Sequence, residues 1–248
     1  KAVIATHIYG YPLEMDKIKK ICRKKKIFLI EDAAEMLGHK FNRKYCGFYG
    51  DISVFSFYAN KHITTGEGGM LLTDNKQFFT KIEKLKNLCF GKINRYNHDD
   101  IGWNYRFTNL QAAIGISQLR RINSIIKRKQ KIGKDYYEKI VKNKNIYIQS
   151  PYYNNLRNVY WVVGILIKNK KMTASKLQKK LLKKGIDTRL FFWPMNKQTI
   201  LKKMKYKFKN NYKNSEYISK YGLYLPSGLG TTKKEINFVV NNINKILK

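Results

Sequence analysis

The chain has 248 residues, enough for a large α/β domain with a smaller appendage, and its 43% hydrophobic and 14% aromatic content argues against disorder. No apolar run approaches the roughly 20 residues that span a bilayer, and no signal-peptide pattern opens the chain, so a cytoplasmic protein is expected. The net charge of +35 raises nucleic acid as a partner, but the lysines are dispersed along helical stretches without a nucleic-acid-binding signature, and a solvated face is the preferred reading.

Ala2-Val3-Ile4-Ala5 reads as a short strand, Asp16 to Lys25 as a helix with Ile18 and Ile21 on one face, and Ile27 to Ile30 as a buried parallel strand. Together they make a βαβ unit. Two further strands are expected at Ile52 to Phe57 and Gly69 to Thr73, around a glycine-rich loop from Asn60 to Gly68. A helix follows over Asn75 to Leu88. A longer one, with room for an interruption, runs from Thr108 or Asn109 towards Ile140, Thr108 or Asn109 being the N-cap. The pattern changes at Ser150-Pro151, which sets expected domains at 1–150 and 151–248. Beyond it come a strand at Tyr160 to Ile167, a helix at Ala174 to Lys184 ended by Gly185, an irregular Phe191-Phe192-Trp193-Pro194 segment, and a last helix from Lys233 to Leu247. Cys22, Cys46 and Cys89 form no CxxC pair, so neither a disulfide framework nor a metal site is expected.

Three features carry chemistry. Glu31-Asp32 closes an apolar strand, and ligands of open α/β sheets sit at the carboxyl ends of strands. A carboxylate at Asp32 could hold a pyridinium nitrogen protonated; capping the next turn is the equally weighted structural role. Lys61 stands in the loop just after the Ile52 strand, five residues beyond Ser56, whose hydroxyl could anchor a phosphate. A nucleophilic lysine must be partly neutral, which burial or nearby cations can bring about. The following Thr64-Thr65-Gly66-Glu67-Gly68-Gly69 permits close backbone approach.

The stretches EDAAEMLG, GDISVFSFYANKHITTGEGGMLLT and GWNYRFTNLQAAIG resemble the DegT/DnrJ/EryC1/StrS family of sugar aminotransferases that depend on pyridoxal phosphate (PLP). THIYGYPLEMD, GIDTRLFFWPMN and YGLYLPSGLG extend the likeness along the whole chain, with a look of the perosamine synthetase-like members. The resemblance implies an α/β chain of PLP-dependent transferase fold type I (aspartate aminotransferase-like). It would comprise a partial large domain with a mixed, mostly parallel sheet and a small C-terminal α+β domain. It implies a Schiff-base and proton-shuttling role for Lys61, pyridine-nitrogen pairing for Asp32, a place beside the ring hydroxyl for Glu35, and phosphate binding for Ser56. Asn104 and Arg106 would reach the active site of the partner subunit in a homodimer. His7 and Tyr9 would line the pocket, and Arg189, Phe191 and Trp193 would face the sugar nucleotide; packing is the competing role for each of these, and loop filling is expected of His62.

The implied reaction moves an amino group from an amino acid, glutamate being the expected donor, through pyridoxamine phosphate to a nucleotide-linked 4-keto-6-deoxy sugar. The product would serve surface-glycan or lipopolysaccharide synthesis. Relatives carry an N-terminal part, with a phosphate-binding turn and a ring-stacking aromatic, that this sequence lacks. The chain alone is therefore expected to bind PLP poorly, and an inactive or split fragment is the alternative, with a basic nucleic-acid-binding protein as the rival from another class. A PMP-dependent sugar dehydratase would carry histidine where Lys61 stands.

Overall fold

A computed structural model describes residues 1–153 and 156–248. They form two compact units, Lys1–Ile126 and Lys127–Lys248.

The first unit is built on strand β1 (Ala2–Thr6), helix α1 (Met15–Lys25) and strand β2 (Phe28–Asp32). α1 ends where Lys26 turns left-handed and its amide bonds back to Arg23 and Cys22. A small hairpin, β3 (Lys40–Phe41) with β4 (Lys44–Tyr45), precedes β5 (Ile52–Ser56) and β6 (Gly69–Leu72). The sheet order is β1-β2-β5-β6. β1, β2 and β5 are mutually parallel, and β6 returns antiparallel to β5. This is a mixed, mostly parallel sheet. The carboxyl ends of its three parallel strands therefore lie side by side at Thr6, Asp32 and Ser56.

Helices α2 (Lys76–Lys86) and α3 (Asn109–Leu119) follow, and α4 runs from Ile122 to Ile140. Thr108 caps α3 in a reciprocal capping box with Gln111. The long helix read from the sequence is thus two, parted at Arg120 and Arg121. One apolar cluster of this unit gathers Ala33, Met36, Phe55, Phe57, Ile63 and Ile125; another gathers Ala5, Met15, Cys22, Leu29 and Tyr49.

The division between the units falls inside α4, ahead of the boundary expected at Ser150-Pro151. The cause is packing: Ile132, Tyr136 and Ile140 of α4 belong to the second unit's core. That unit contains β7 (Ile146–Ile148), the hairpin strands β8 (Tyr152–Tyr153) and β9 (Leu156–Arg157), β10 (Val163–Ile167), α5 (Ala174–Leu182) and β11 (Arg189–Leu190). After a 3-10 turn at Met195–Lys197 come α6 (Thr199–Lys203), α7 (Lys213–Tyr221), β12 (Gly222–Leu225) and α8 (Lys233–Ile246). The sheet order is β11-β12-β10-β7, antiparallel throughout. The strand expected from Tyr160 starts only at Val163, because Tyr160 adopts φ 50° and breaks the extended run. α5 and α8 lay Leu177, Leu181, Ile236, Val239, Val240 and Ile243 against this sheet. Among the described residues no helix is long and apolar enough to cross a membrane.

Candidate active site

Strand parity determines how the acidic pair at the end of β2 is used. Leu29 and Glu31 are buried on one face, while Ile30 and Asp32 take the other and are half-buried. Asp32 Oδ1 accepts the Ala34 amide at 3.1 Å, which turns the chain out of the strand. That turn carries Glu35 back over the strand ends. Glu35 Oε2 accepts the Tyr9 amide at 2.7 Å, and Oε1 lies 4.0 Å from Lys61 Nζ.

Lys61 is placed by the loop after β5. Its amide donates to Tyr58 O at 3.0 Å, and the Thr65 amide donates to Phe57 O at 2.9 Å. The far side of the loop is gripped by α3: Gln118 Nε2 donates to Thr64 O at 2.6 Å, and its Oε1 accepts the Thr64 amide at 3.1 Å. Gly66 and Gly68 take φ of 80° and 141°. A side chain at Gly68 would strike Phe107 and meet Thr65 Oγ1 at 2.7 Å. The Lys61 side chain is only 12% exposed.

Burial pushes the Glu35 carboxyl up to about 7, against the Tyr9 amide and Lys61 and with help from Asp32. Burial also pulls the Lys61 ammonium below its usual range, opposed by Glu35 and Asp32. The three charges act on one another, so Lys61, Glu35 and Asp32 form a single electrostatic site. Ser56, the last residue of β5, accepts the Tyr58 amide on its hydroxyl at 3.3 Å.

Each of the other expected residues has local partners of its own. Both nitrogens of His7, expected to line the pocket, are used within the unit. Nε2 lies 2.9 Å from Glu31 Oε1, and Nδ1 accepts the Leu13 amide at 3.0 Å. Tyr9 is buried with φ 55° and contributes its amide to Glu35. Asn104 and Arg106 are exposed, the Arg106 guanidinium donating to Asn104 Oδ1 at 2.9 Å. In the second unit, exposed Arg189 pairs in register with Tyr224, and Phe191 packs beside the Tyr224 ring. Trp193 is exposed, its indole N–H donating to Lys197 O at 3.1 Å.

Glu31 is the residue the sequence reading named without assigning it a task. Its carboxylate also accepts the amides of Gly47, Tyr49 and Gly50 at 2.7, 2.8 and 3.1 Å, and the Ser53 hydroxyl at 3.4 Å. Burial pushes this carboxyl up, but the bonds from His7, Gly47 and Tyr49 outweigh burial and hold it below the usual range. Strand parity was the available signal: the second acid of a half-buried strand must face the opposite side from the first.

A lysine amine and two carboxylates are gathered at the carboxyl end of a mostly parallel sheet. The DegT/DnrJ/EryC1/StrS aminotransferase family matches residues 1–244, and the chain belongs to that family. The chain is 34% identical over 245 residues to the GDP-perosamine synthase of Escherichia coli O157:H7, covering 99% of this chain and 65% of that protein. It spans, then, just under two thirds of that relative. Among solved structures it resembles the Helicobacter pylori aminotransferase PseC, involved in the biosynthesis of pseudoaminic acid, with a TM-score of 0.92 and 22% identity over 100% of this chain and 67% of that one. It also resembles the E. coli GDP-4-keto-6-deoxy-D-mannose-3-dehydratase with bound hydrated PLP, with a TM-score of 0.84 and 25% identity over 98% and 67% of the two chains. The fold is that of the PLP-dependent transferases of fold type I.

Proposed function

We propose that the protein transfers an amino group from an amino acid, glutamate by preference, to a nucleotide-linked 4-keto-6-deoxy sugar, with PLP as cofactor and as a homodimer. The observation that carries this reading is the largely shielded Lys61 amine 4.0 Å from Glu35 and within the field of the strand-end carboxylate of Asp32. A PMP-dependent sugar dehydratase is disfavoured by lysine at position 61, where the resemblance places histidine in that class.

The donor set fits the cofactor. PLP asks for an amine at its carbonyl carbon, an anion at its ring nitrogen and polar donors at its phosphate. When bound it supplies an electron sink for charge that develops on substrate carbon. Lys61 would hold the cofactor and, once released, carry a proton at Nζ between cofactor and substrate carbons. Asp32 would keep the ring nitrogen protonated, since a carboxylate beside a cation favours its charged form. Glu35 would lie at the ring hydroxyl. The Ser56 hydroxyl would bind phosphate. Arg189, Phe191 and Trp193 would meet the sugar nucleotide.

The homodimer is supported by the exposed Asn104 and Arg106 and by α3, which leaves Leu110, Ile114, Ile116 and Leu119 exposed. Isolated apolar side chains on a surface are ordinary, but a helix that exposes apolar side chains around most of its circumference calls for a partner.

Borohydride reduction in the presence of PLP should fix the cofactor to the peptide that contains Lys61, read by mass. Covalent trapping accumulates even where affinity is low. Loss of the adduct in Lys61→Ala is the expected control, and an adduct spread evenly over surface lysines in both proteins would overturn the assignment. Incubation with glutamate and a panel of nucleotide keto sugars, with product masses read out, then tests the substrate class.

A further inference from the structure

Glu35 is arranged unlike a carboxylate that simply fills a wall. One oxygen is fixed: Oε2 takes the Tyr9 amide at 2.7 Å. The other, Oε1, is aimed at Lys61 Nζ across 4.0 Å, with both side chains almost wholly shielded from water. That gap is spanned by a small change in the lysine torsions or by one water.

Of the neighbouring ionisable groups, Asp32 bears on this pairing through its charge, and the others are bonded elsewhere. Asp32 acts on both groups as a charge, but its Oδ1 is bonded to the Ala34 amide. His7 is tied to Glu31 and Leu13, and the His39 ring is bonded to Lys40 O. Glu31 lies on the opposite face of β2.

We propose that Glu35 is the proton partner of Lys61, accepting the proton that the ammonium must lose before it can act as a nucleophile. In this step a Lys61 N–H bond breaks, its electron pair stays on Nζ, and an O–H bond forms at Glu35 Oε1. Nothing else is consumed, and the pair remains neutral as a whole. In a site with little water this matters: a neutral acid beside a neutral amine carries no desolvated charge, whereas the ion pair must carry two. The burial effects on both groups act in this direction. Burial is what frees the amine; Glu35 gives the shielded lysine a place within the site to leave its proton instead of releasing it to solvent. The inference rests on the proposed function only for what the amine attacks; the pairing is tested without the cofactor.

The experiment is competitive acetylation of the full chain across pH 5 to 10, with the Lys61 peptide read by mass against an exposed standard such as Lys24. In the unsubstituted protein Lys61 should react at pH 7 at least threefold faster than Lys24 after correction to its own limiting rate. Its profile should show two steps, one of them near the titration of Glu35. Glu35→Gln preserves the shape and an acceptor for the Tyr9 amide, and should collapse the profile to a single step at lower pH. Superimposable Lys61 profiles in the two proteins would overturn the proposal. A second arm follows the Glu35 carboxyl carbon by NMR in Lys61→Met, where its midpoint should move up once the opposing cation is gone. An unmoved Glu35 midpoint would sink the pairing as surely. Coupled titrations without a borohydride-trapped adduct would leave the proton pair standing and remove the cofactor reading.

Discussion

Nε2 of His7 lies 2.9 Å from Oε1 of Glu31, and this contact ties the segment that leaves β1 to the end of β2. Because Nδ1 accepts the Leu13 amide, the ring proton of neutral His7 sits on Nε2 and points at the carboxylate. The segment so held includes Tyr9, whose amide fixes Glu35. Glu31 therefore acts on the site through the backbone of residues 7 to 13 and touches none of the reacting groups.

Glu31→Ala should be severely destabilising. It strands His7 and the amides of Gly47, Tyr49 and Gly50 without their shared acceptor. Losing one side of a buried charged network costs about 3–5 kcal/mol. Glu31→Gln restores the shape and one acceptor oxygen and should cost less. Denaturant midpoints at constant m value check both, and a loss within 0.5 kcal/mol, about the effect of an ordinary surface change, would remove the hub role.

Much of this was legible in advance. The apolar strands and the amphipathic α1, α5 and α8 follow from periodicity, whereas Lys61 is one loop lysine among many and is singled out by the resemblance together with Asp32 at the end of β2. Two-residue strands such as Lys40–Phe41 and Lys44–Tyr45 carry too few alternations to register as a pattern. α6 has only five residues, too few to show a period, and α7 carries no side-chain cap to mark its start. Glu35 was placed by likeness, but its distance to Lys61 depends on the Asp32–Ala34 turn, which only the folded backbone displays. The task of Glu31 depends on amides of a loop 16 to 19 residues away.

His39 should make the protein acid-sensitive. Burial lowers its pKa from 6.5 to about 4, the carbonyls of Lys40 and Gly10 opposing. Between those values the unfolded chain binds the proton more readily than the folded one, so stability falls as pH drops from 6.5 towards 4. The full effect is at most about 3 kcal/mol. Unfolding curves at pH 7 and pH 4 should converge for His39→Gln relative to the parent protein. An equal acid loss in both would assign the effect to other groups.

Gly133→Ala tests packing in the second unit. A Cβ built at this position in α4 collides with the Tyr160 ring. Tyr160 has little freedom to yield, being buried with φ 50° and with its hydroxyl donating to Gln149 O at 3.1 Å. In an open helix the change would stabilise by up to about 1 kcal/mol. Here overpacking should prevail and cost about 1–3 kcal/mol, seen as a lower thermal midpoint.

The loop from Pro226 to Thr231 is held by three side chains of α4. Tyr136 donates its hydroxyl to Pro226 O at 2.9 Å, Lys129 Nζ donates to Ser227 O at 2.7 Å, and Arg128 donates to Leu229 O at 3.1 Å and Thr231 O at 2.5 Å. Lys129 is buried, and burial lowers its pKa from 10.5 to about 8. The folded value is the depressed one. Between pH 8 and 10.5 the unfolded chain therefore holds more protons, and stability rises with pH through that window. At pH 7 the ammonium is charged in both states, and its desolvation burdens the fold by up to about 3 kcal/mol. Lys129→Met removes that burden together with the bond to Ser227 O, itself worth about 1.5–3 kcal/mol as a charged hydrogen bond. The variant should thus be close to neutral at pH 7. Because the many exposed lysines titrate alike in both proteins, the stability difference between them isolates this one group. Relative to the parent, Lys129→Met should lose about 3 kcal/mol between pH 7 and 10.5, as the parent sheds its buried charge and the variant has none to shed. A difference that stays flat across that window would mean the Lys129 ammonium is solvated in the folded protein.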